Sequence, residues 1–320
     1  KIMLNLDTED DRELTIGCAG GTDVTATGTY KEVDCKAGYT GRKLKVTGLN
    51  GGHSGMDIHK GLGNANKIMN RILLAAEEMG IQVSGVDGGS LRNAIPRESN
   101  AWVGIPADQA DAFDDLLSDL GSAIIDEHNT TDTELELSSE ECDAPDEVMD
   151  PAFQRMFLRA VQACPNGIYR MSPDVEDLVQ TSNNVARILA EAGKYQVLCL
   201  TRSSVDSEKE DEAKAIQSVF ELIGADVTFS GDYPGWTPKP DSKIVSLMRE
   251  LYEKRFNEKP HVNACHAGLE CGILGTNYPT MEMISFGPNI RGAHSPDEKV
   301  QISSVQKFWG FLLETLEKLN

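Results

Sequence analysis

Between residues 43 and 138 the hydrophobic period changes in a fixed order, and that order admits few folds. Lys43-Leu-Lys-Val-Thr47 alternates as a half-buried strand, and from Asn64 to Glu78 the residues Ala65, Ile68, Ile72 and Ala75 recur at helical spacing. Strands are read near Gln82–Val86 and Ala101–Ile105. Asp108 reads as the cap of a helix with Ala112, Leu116, Leu120 and Ile124 on its stripe, and Glu134-Leu-Glu-Leu-Ser138 alternates again. The order β-α-β-β-α-β predicts a split βαβ sandwich.

Ser138–Asp150 reads as an acidic linker, and Asp150-Pro151 as a helix start with a cap and a first-turn proline. Strands near Asn184–Ala190 and Tyr195–Thr201 come next, then a helix from Ser207 to Ile223 and a strand Asp226–Ser230. This partly repeats the first half and predicts a doubled α+β module. Tyr233-Pro-Gly-Trp-Thr-Pro-Lys-Pro240 is a boundary by its turn chemistry. Beyond it, a helix from Ser242 to Phe256, strands near His261–Cys265 and Met281–Phe286, and a helix from Ser303 to Leu319 imply a parallel sheet covered on both faces. With the opening strand from Ile2 this gives only about three strands, too few to close such a sheet, so further strands are expected upstream of Lys1. The expected domains are residues 1–20 and 233–320 in one α/β body, with 21–232 inserted.

Charge and cysteines limit the partners. The formal charge is -21, which disfavours nucleic acid and anionic membrane. A run of about 18 apolar residues, the length a membrane helix needs, is missing. Seven scattered cysteines without a C-x-x-C pattern fit reduced thiols in a cytoplasm.

Several residues are candidates for chemistry. Asp7 ends an apolar strand and His294 lies in a loop before the last helix; a hard carboxylate and an imidazole at two strand ends suit zinc. The bland alternative for Asp7 is a turn former. His53 sits in Gly51-Gly-His-Ser-Gly55, either a close-approach loop or a glycine-rich hairpin. Arg92 beside Asn93, and Arg202 at a strand end, offer guanidinium forks for a carboxylate, with a surface salt bridge as the alternative. Gly61-Leu-Gly-Asn-Ala-Asn66 lacks the third glycine of a dinucleotide loop, and Cys18 has no visible thiolate activator.

Taken together, the segments LNLDTED, GCAGG, GLNGGHSG, HKGLGNANK, GGSLRNAIPRE, ACPNG, YPGW, HAGLECG, SFGPNI and HSPDEKV resemble the bacterial Xaa-His (aminoacyl-histidine) dipeptidases, which are cocatalytic zinc exopeptidases. The resemblance implies an α/β fold: part of a zinc-exopeptidase catalytic domain with a large inserted α+β lid domain. It implies Asp7 and His294 as ligands of the two zinc ions, and His53 as the lid histidine that steadies the tetrahedral intermediate. It further implies Asn93, Arg202 and the Gly268 backbone as substrate-binding positions, with a dipeptide as substrate and Arg202 on its carboxylate. A homodimer stays open. The sequence has no His-x-Asp motif, and its Glu-Glu pairs, Glu77-Glu78 and Glu140-Glu141, fall in a lid helix and the linker rather than at the family's metal site, so the isolated chain is expected to be inactive. The rival expectations are a non-catalytic binding or dimerisation module of the same lineage, and an amino-acid deacylase of the same clan.

Overall fold

The computed structural model describes residues 1–291 and 297–319. The chain opens with β1 (Ile2–Asn5) and β2 (Glu13–Cys18), then enters the long strand β3 (Gly20–Thr29) of a second sheet. It returns to the first sheet only at residue 261.

Next come β4 (Tyr39–Thr47), α1 (Ala65–Ala76), β5 (Gln82–Gly89), β6 (Ser99–Pro106), α2 (Ala110–His128) and β7 (Glu136–Cys142), in the order read from the sequence. They pair antiparallel as β7-β4-β6-β5. Leu44 and Val46 of β4 enter the core while Lys43 and Lys45 alternate away from it. Helix α1 begins where Asn64 accepts hydrogen bonds from the N–H groups of Asn66 and Lys67. Asp108 does not cap α2: Ala107–Gln109 form a 3-10 turn led in by Pro106, and the helix starts without a side-chain cap. The acidic stretch is not a linker along its length. Strand β7 continues to Cys142 opposite Gly41, and Glu147–Met149 pairs with Glu32–Asp34. A charged edge strand resists further pairing, which makes its composition look like a linker.

A second unit follows with α3 (Pro151–Ala163), β8 (Val179–Glu191), β9 (Lys194–Ser203), α4 (Asp206–Glu221) and β10 (Asp226–Tyr233). Asp150 caps α3 by accepting from Ala152 N–H at 3.0 Å. With β3 as its first strand this is again β-α-β-β-α-β, with sheet order β8-β9-β3-β10. The first unit is therefore inserted between β3 and α3 of the second. The second strands of the two units, β5 and β8, pair antiparallel from Arg187–Gly89 to Ala190–Val86. With a short strand at Gly167–Met171 beside β8 they make one sheet of nine strands. One apolar core runs beneath both units, from Met69 and Ile124 to Phe157 and Phe220. Tyr30 stacks on Phe153 at 4.8 Å within it.

Beyond the boundary, α5 (Lys243–Phe256), β11 (His261–Cys265), α6 (Glu270–Asn277), β12 (Glu282–Ser285) and α7 (Ile302–Leu319) rejoin the opening strands. The sheet order is β1-β12-β2-β11. Strand β1 is parallel to β12 and β2 to β11, but β12 meets β2 antiparallel at Ser285–Thr15. The sheet is thus mixed where a parallel one was expected, because β2, which alternation did not reveal, enters between the parallel pairs. Leu14, Ile16, Met248, Tyr252, Ile284 and Phe311 form a separate core. Among the described residues no helix is long and apolar enough to cross a membrane.

The two crossings between the sheets lie side by side. Cys18 and Trp236 exchange backbone hydrogen bonds of 2.9 and 2.8 Å. A side chain at Gly20 would put its β-carbon 2.5 Å from the Gly235 nitrogen, so this neck requires glycine.

Candidate functional site

Loops from both units and from the neck converge around Arg202. His53 lies before α1 in a two-residue strand with Gly52 that pairs with Ala94–Ile95, and Ser54 N–H donates to the Asn93 carbonyl at 2.8 Å. The backbone thus ties His53 to the exposed Asn93. Nδ1 of His53 accepts from Gly55 N–H at 3.1 Å and Met56 N–H at 3.0 Å. Two donors on Nδ1 leave the ring proton on Nε2, which therefore points away as a donor. Burial, and next the Arg202 charge, hold its pKa below the usual histidine value, so the ring is neutral at neutral pH.

Arg202, next to the end of β9, is only 4% exposed. Among the described residues no carboxylate lies within ion-pair distance of it, and its single hydrogen bond runs from Nη1 to the Tyr233 hydroxyl at 2.6 Å. A buried, uncompensated guanidinium is costly unless it serves an anion. Arg92 behaves differently. It is held by Asp23 at 3.3 Å, by the Val24 and Cys199 carbonyls and by Thr25, and is structural. Gly268 lies against Tyr233, whose ring would come within 3.0 Å of a β-carbon there. The carbonyl of His266 closes over Gly55, leaving no space for a side chain at that position, and Arg202 Nε would lie 3.2 Å from such a β-carbon. The structure so brings His53, Asn93, Arg202 and Gly268 into one neighbourhood.

Sequence reasoning missed the floor of this neighbourhood. Gln180, Thr181, Ser182, Asn183 and Asn184 are consecutive, polar and buried in β8. Asn184 donates to the Arg92 and Ala94 carbonyls at 3.1 and 2.8 Å and so holds the Asn93 loop. Ser182 shares a 2.7 Å hydrogen bond with Nε2 of His266, across the gap between the two sheets. Burial, then Arg202, push the His266 pKa down to about 3, so this imidazole is neutral. The available signal was the unbroken polar run inside a strand, which is costly to bury unless it carries hydrogen bonds.

Of the two candidate zinc ligands, Asp7 lies at the other sheet. Asp7 is exposed, two residues past the end of β1, and its N–H donates to Asn5 Oδ1 at 3.0 Å. His294 lies outside the described residues. Ile290 N–H donates to the Glu9 carbonyl at 3.0 Å, two residues beyond Asp7. Among the described residues no three or more His, Cys, Asp or Glu side chains are grouped to hold a metal ion. Those residues alone therefore do not fit a complete zinc centre. Cys18 is fully buried with its pKa pushed up to about 11 by burial, which keeps the thiol protonated and unreactive.

Residues 44–131 match the model of a peptidase dimerisation domain. The chain is 38% identical over 319 residues to the cytosol non-specific dipeptidase of Escherichia coli (strain K12), covering 99% of this chain and 66% of the relative. The crystal structure of aminoacylhistidine dipeptidase from Vibrio alginolyticus superposes with a TM-score of 0.95 at 44% identity, covering 99% of this chain and 65% of that one. The chain spans just under two thirds of the length of each.

Proposed function

Because the chain belongs to the aminoacyl-histidine dipeptidase family of metallopeptidases, we propose that it forms the lid and part of the catalytic domain of a two-zinc dipeptidase that hydrolyses Xaa-His dipeptides. The lid corresponds to residues 21–232 and the catalytic part to 1–20 and 233–320 in this reading. The observation that carries it is Arg202, a buried cation without a carboxylate partner among the described residues. The carboxylate terminus of a short peptide supplies the missing anion and forms charge-assisted hydrogen bonds to the fork.

His53 then faces the scissile carbonyl with Nε2–H, a donor set in advance by the backbone bonds to Nδ1. Asn93, tied to the same loop, and the Gly268 backbone hold the remainder of the peptide. In a complete site zinc would supply an activated water. Asp7 and His294 are the ligands proposed from this chain, fewer than the about three protein ligands of one four-coordinate catalytic site. The reading includes a cytoplasmic location, in keeping with the relative's name and free cysteines, and a homodimer, in keeping with the dimerisation-domain match.

Zinc content and hydrolysis of β-alanyl-histidine are to be measured on the 320-residue chain and on a protein of the relatives' full length. The longer protein is expected to hold zinc and turn over; the 320-residue chain is expected to bind zinc poorly and to show no activity. Robust hydrolysis by the shorter chain, or none by the longer one loaded with zinc, overturns the proposal.

A further inference from the structure

Arg202 has a side-chain neighbour in the neck. Tyr233 is the last residue of β10, and its hydroxyl oxygen accepts from Nη1 of Arg202 at 2.6 Å. A guanidinium has no acceptor, so the phenol cannot return its own proton to Arg202. Among the described residues the hydroxyl makes no other hydrogen bond. The O–H is left as a donor beside a buried cation, where the acceptor best matched to both is an anion.

The ring is held in a prepared slot. Gly21 pairs with Tyr233 across the strands, and a β-carbon there would fall 2.6 Å from the hydroxyl. On another side Gly268 leaves room that a β-carbon would narrow to 3.0 Å from the ring. The main chain is pinned as well. The buried Lys209 donates from Nζ to the Tyr233 carbonyl at 2.8 Å and pairs with Asp232 at 2.9 Å. Asp206 accepts from the Gly235 N–H at 2.9 Å. A side chain held this firmly loses little freedom when it binds, which favours a directed hydrogen bond.

We propose that Tyr233 donates its phenolic proton to the substrate carboxylate bound by Arg202, making the pair a two-armed site that selects a free carboxyl terminus over an amide. This rests on the reading of Arg202 given above. Tyr233 is thereby a substrate-binding residue supplied by the neck rather than by either sheet's interior.

The test is equilibrium titration of the 320-residue chain with glycyl-histidine and with its C-terminal amide. The unsubstituted chain is expected to prefer the acid. Tyr233→Phe keeps the ring in its slot and should weaken glycyl-histidine by about tenfold while changing the amide by less than about twofold. Arg202→Ala should remove the preference, and adding Tyr233→Phe to it should then cost little more, because the anion both arms share is gone. If the unsubstituted chain binds acid and amide alike, or neither, the carboxylate reading of Arg202 falls and this inference with it. If it discriminates and Tyr233→Phe discriminates equally well, or weakens both ligands alike, only the Tyr233 role is overturned.

Discussion

Met56 donates its backbone N–H to Nδ1 of His53 at 3.0 Å, which fixes the imidazole proton on the opposite nitrogen. The tautomer is thus decided by the chain two and three residues onward and not by a second side chain. An oxyanion donor prepared in this way acts most strongly when charge develops on the substrate. His53→Ala in the zinc-loaded peptidase is expected to lower kcat by roughly 10²–10³ with KM little changed. A loss confined to KM would assign His53 to ground-state binding.

Arg202 has the opposite signature. Arg202→Ala should mainly raise KM for a dipeptide and have no such effect on the dipeptide amide. Arg202→Lys keeps the charge but loses the planar fork and should remain impaired. Equal penalties on dipeptide and amide would make Arg202 a structural cation.

Gly55 carries the loop between these two groups. The His266 carbonyl occupies the space a β-carbon would need there. Gly55→Ala is therefore expected to destabilise the fold by about 1–3 kcal/mol in chemical denaturation, since backbone must shift to admit the methyl. An unchanged denaturation midpoint would mean that the contact gives way freely.

Glu212 on α4 gives stability a pH dependence. Both its carboxylate oxygens are buried without a hydrogen-bond partner among the described residues. Burial first, then Cys199 and Glu208, push its pKa up to about 8 from 4.5. The folded chain holds this proton more tightly than the unfolded one, so its contribution is full below the unfolded value and is lost as pH rises through about 8. Stability should fall between those values by up to about 5 kcal/mol, and Glu212→Gln should flatten the profile. A wild-type profile that stays level across the window removes the buried neutral carboxyl.

The β-α-β-β-α-β order was legible because its strands alternate and its helices carry stripes, as on β4 and α1. The repeat was legible from element order. Strand β2, with Leu14 to Cys18 all buried, does not alternate and was missed for that reason. Alternation found only the apolar half of β8, from Asn184 to Ala190; the polar half beginning at Gln180 gives no hydrophobic period. Arg202 stood out as a guanidinium at a strand end, Asn93 and Gly268 took their roles from motif resemblance, and His266 and Tyr233 gain their meaning from contacts between segments distant in sequence. Ser182 and His266 are separated by 84 positions, and nothing local in either announces the other.

The pairing of β5 with β8 also governs how the two units can move. A hydrogen-bonded sheet continuous through both units bends as one stiff plate. His53 and Asn93 descend from one half of that plate and Arg202 from the other, so the three keep their spacing whenever the plate moves as a body. The chain leaves that plate at the two crossings beside Cys18 and Trp236, themselves bolted together by paired backbone hydrogen bonds, and the Ser182–His266 bond adds a side-chain tie to the other sheet's side. On the proposed reading, capture of a peptide's carboxylate by Arg202 and polarisation of its scissile bond by His53 would then come as a single stroke, and a peptide too long to let the plate seat itself would lose both at once.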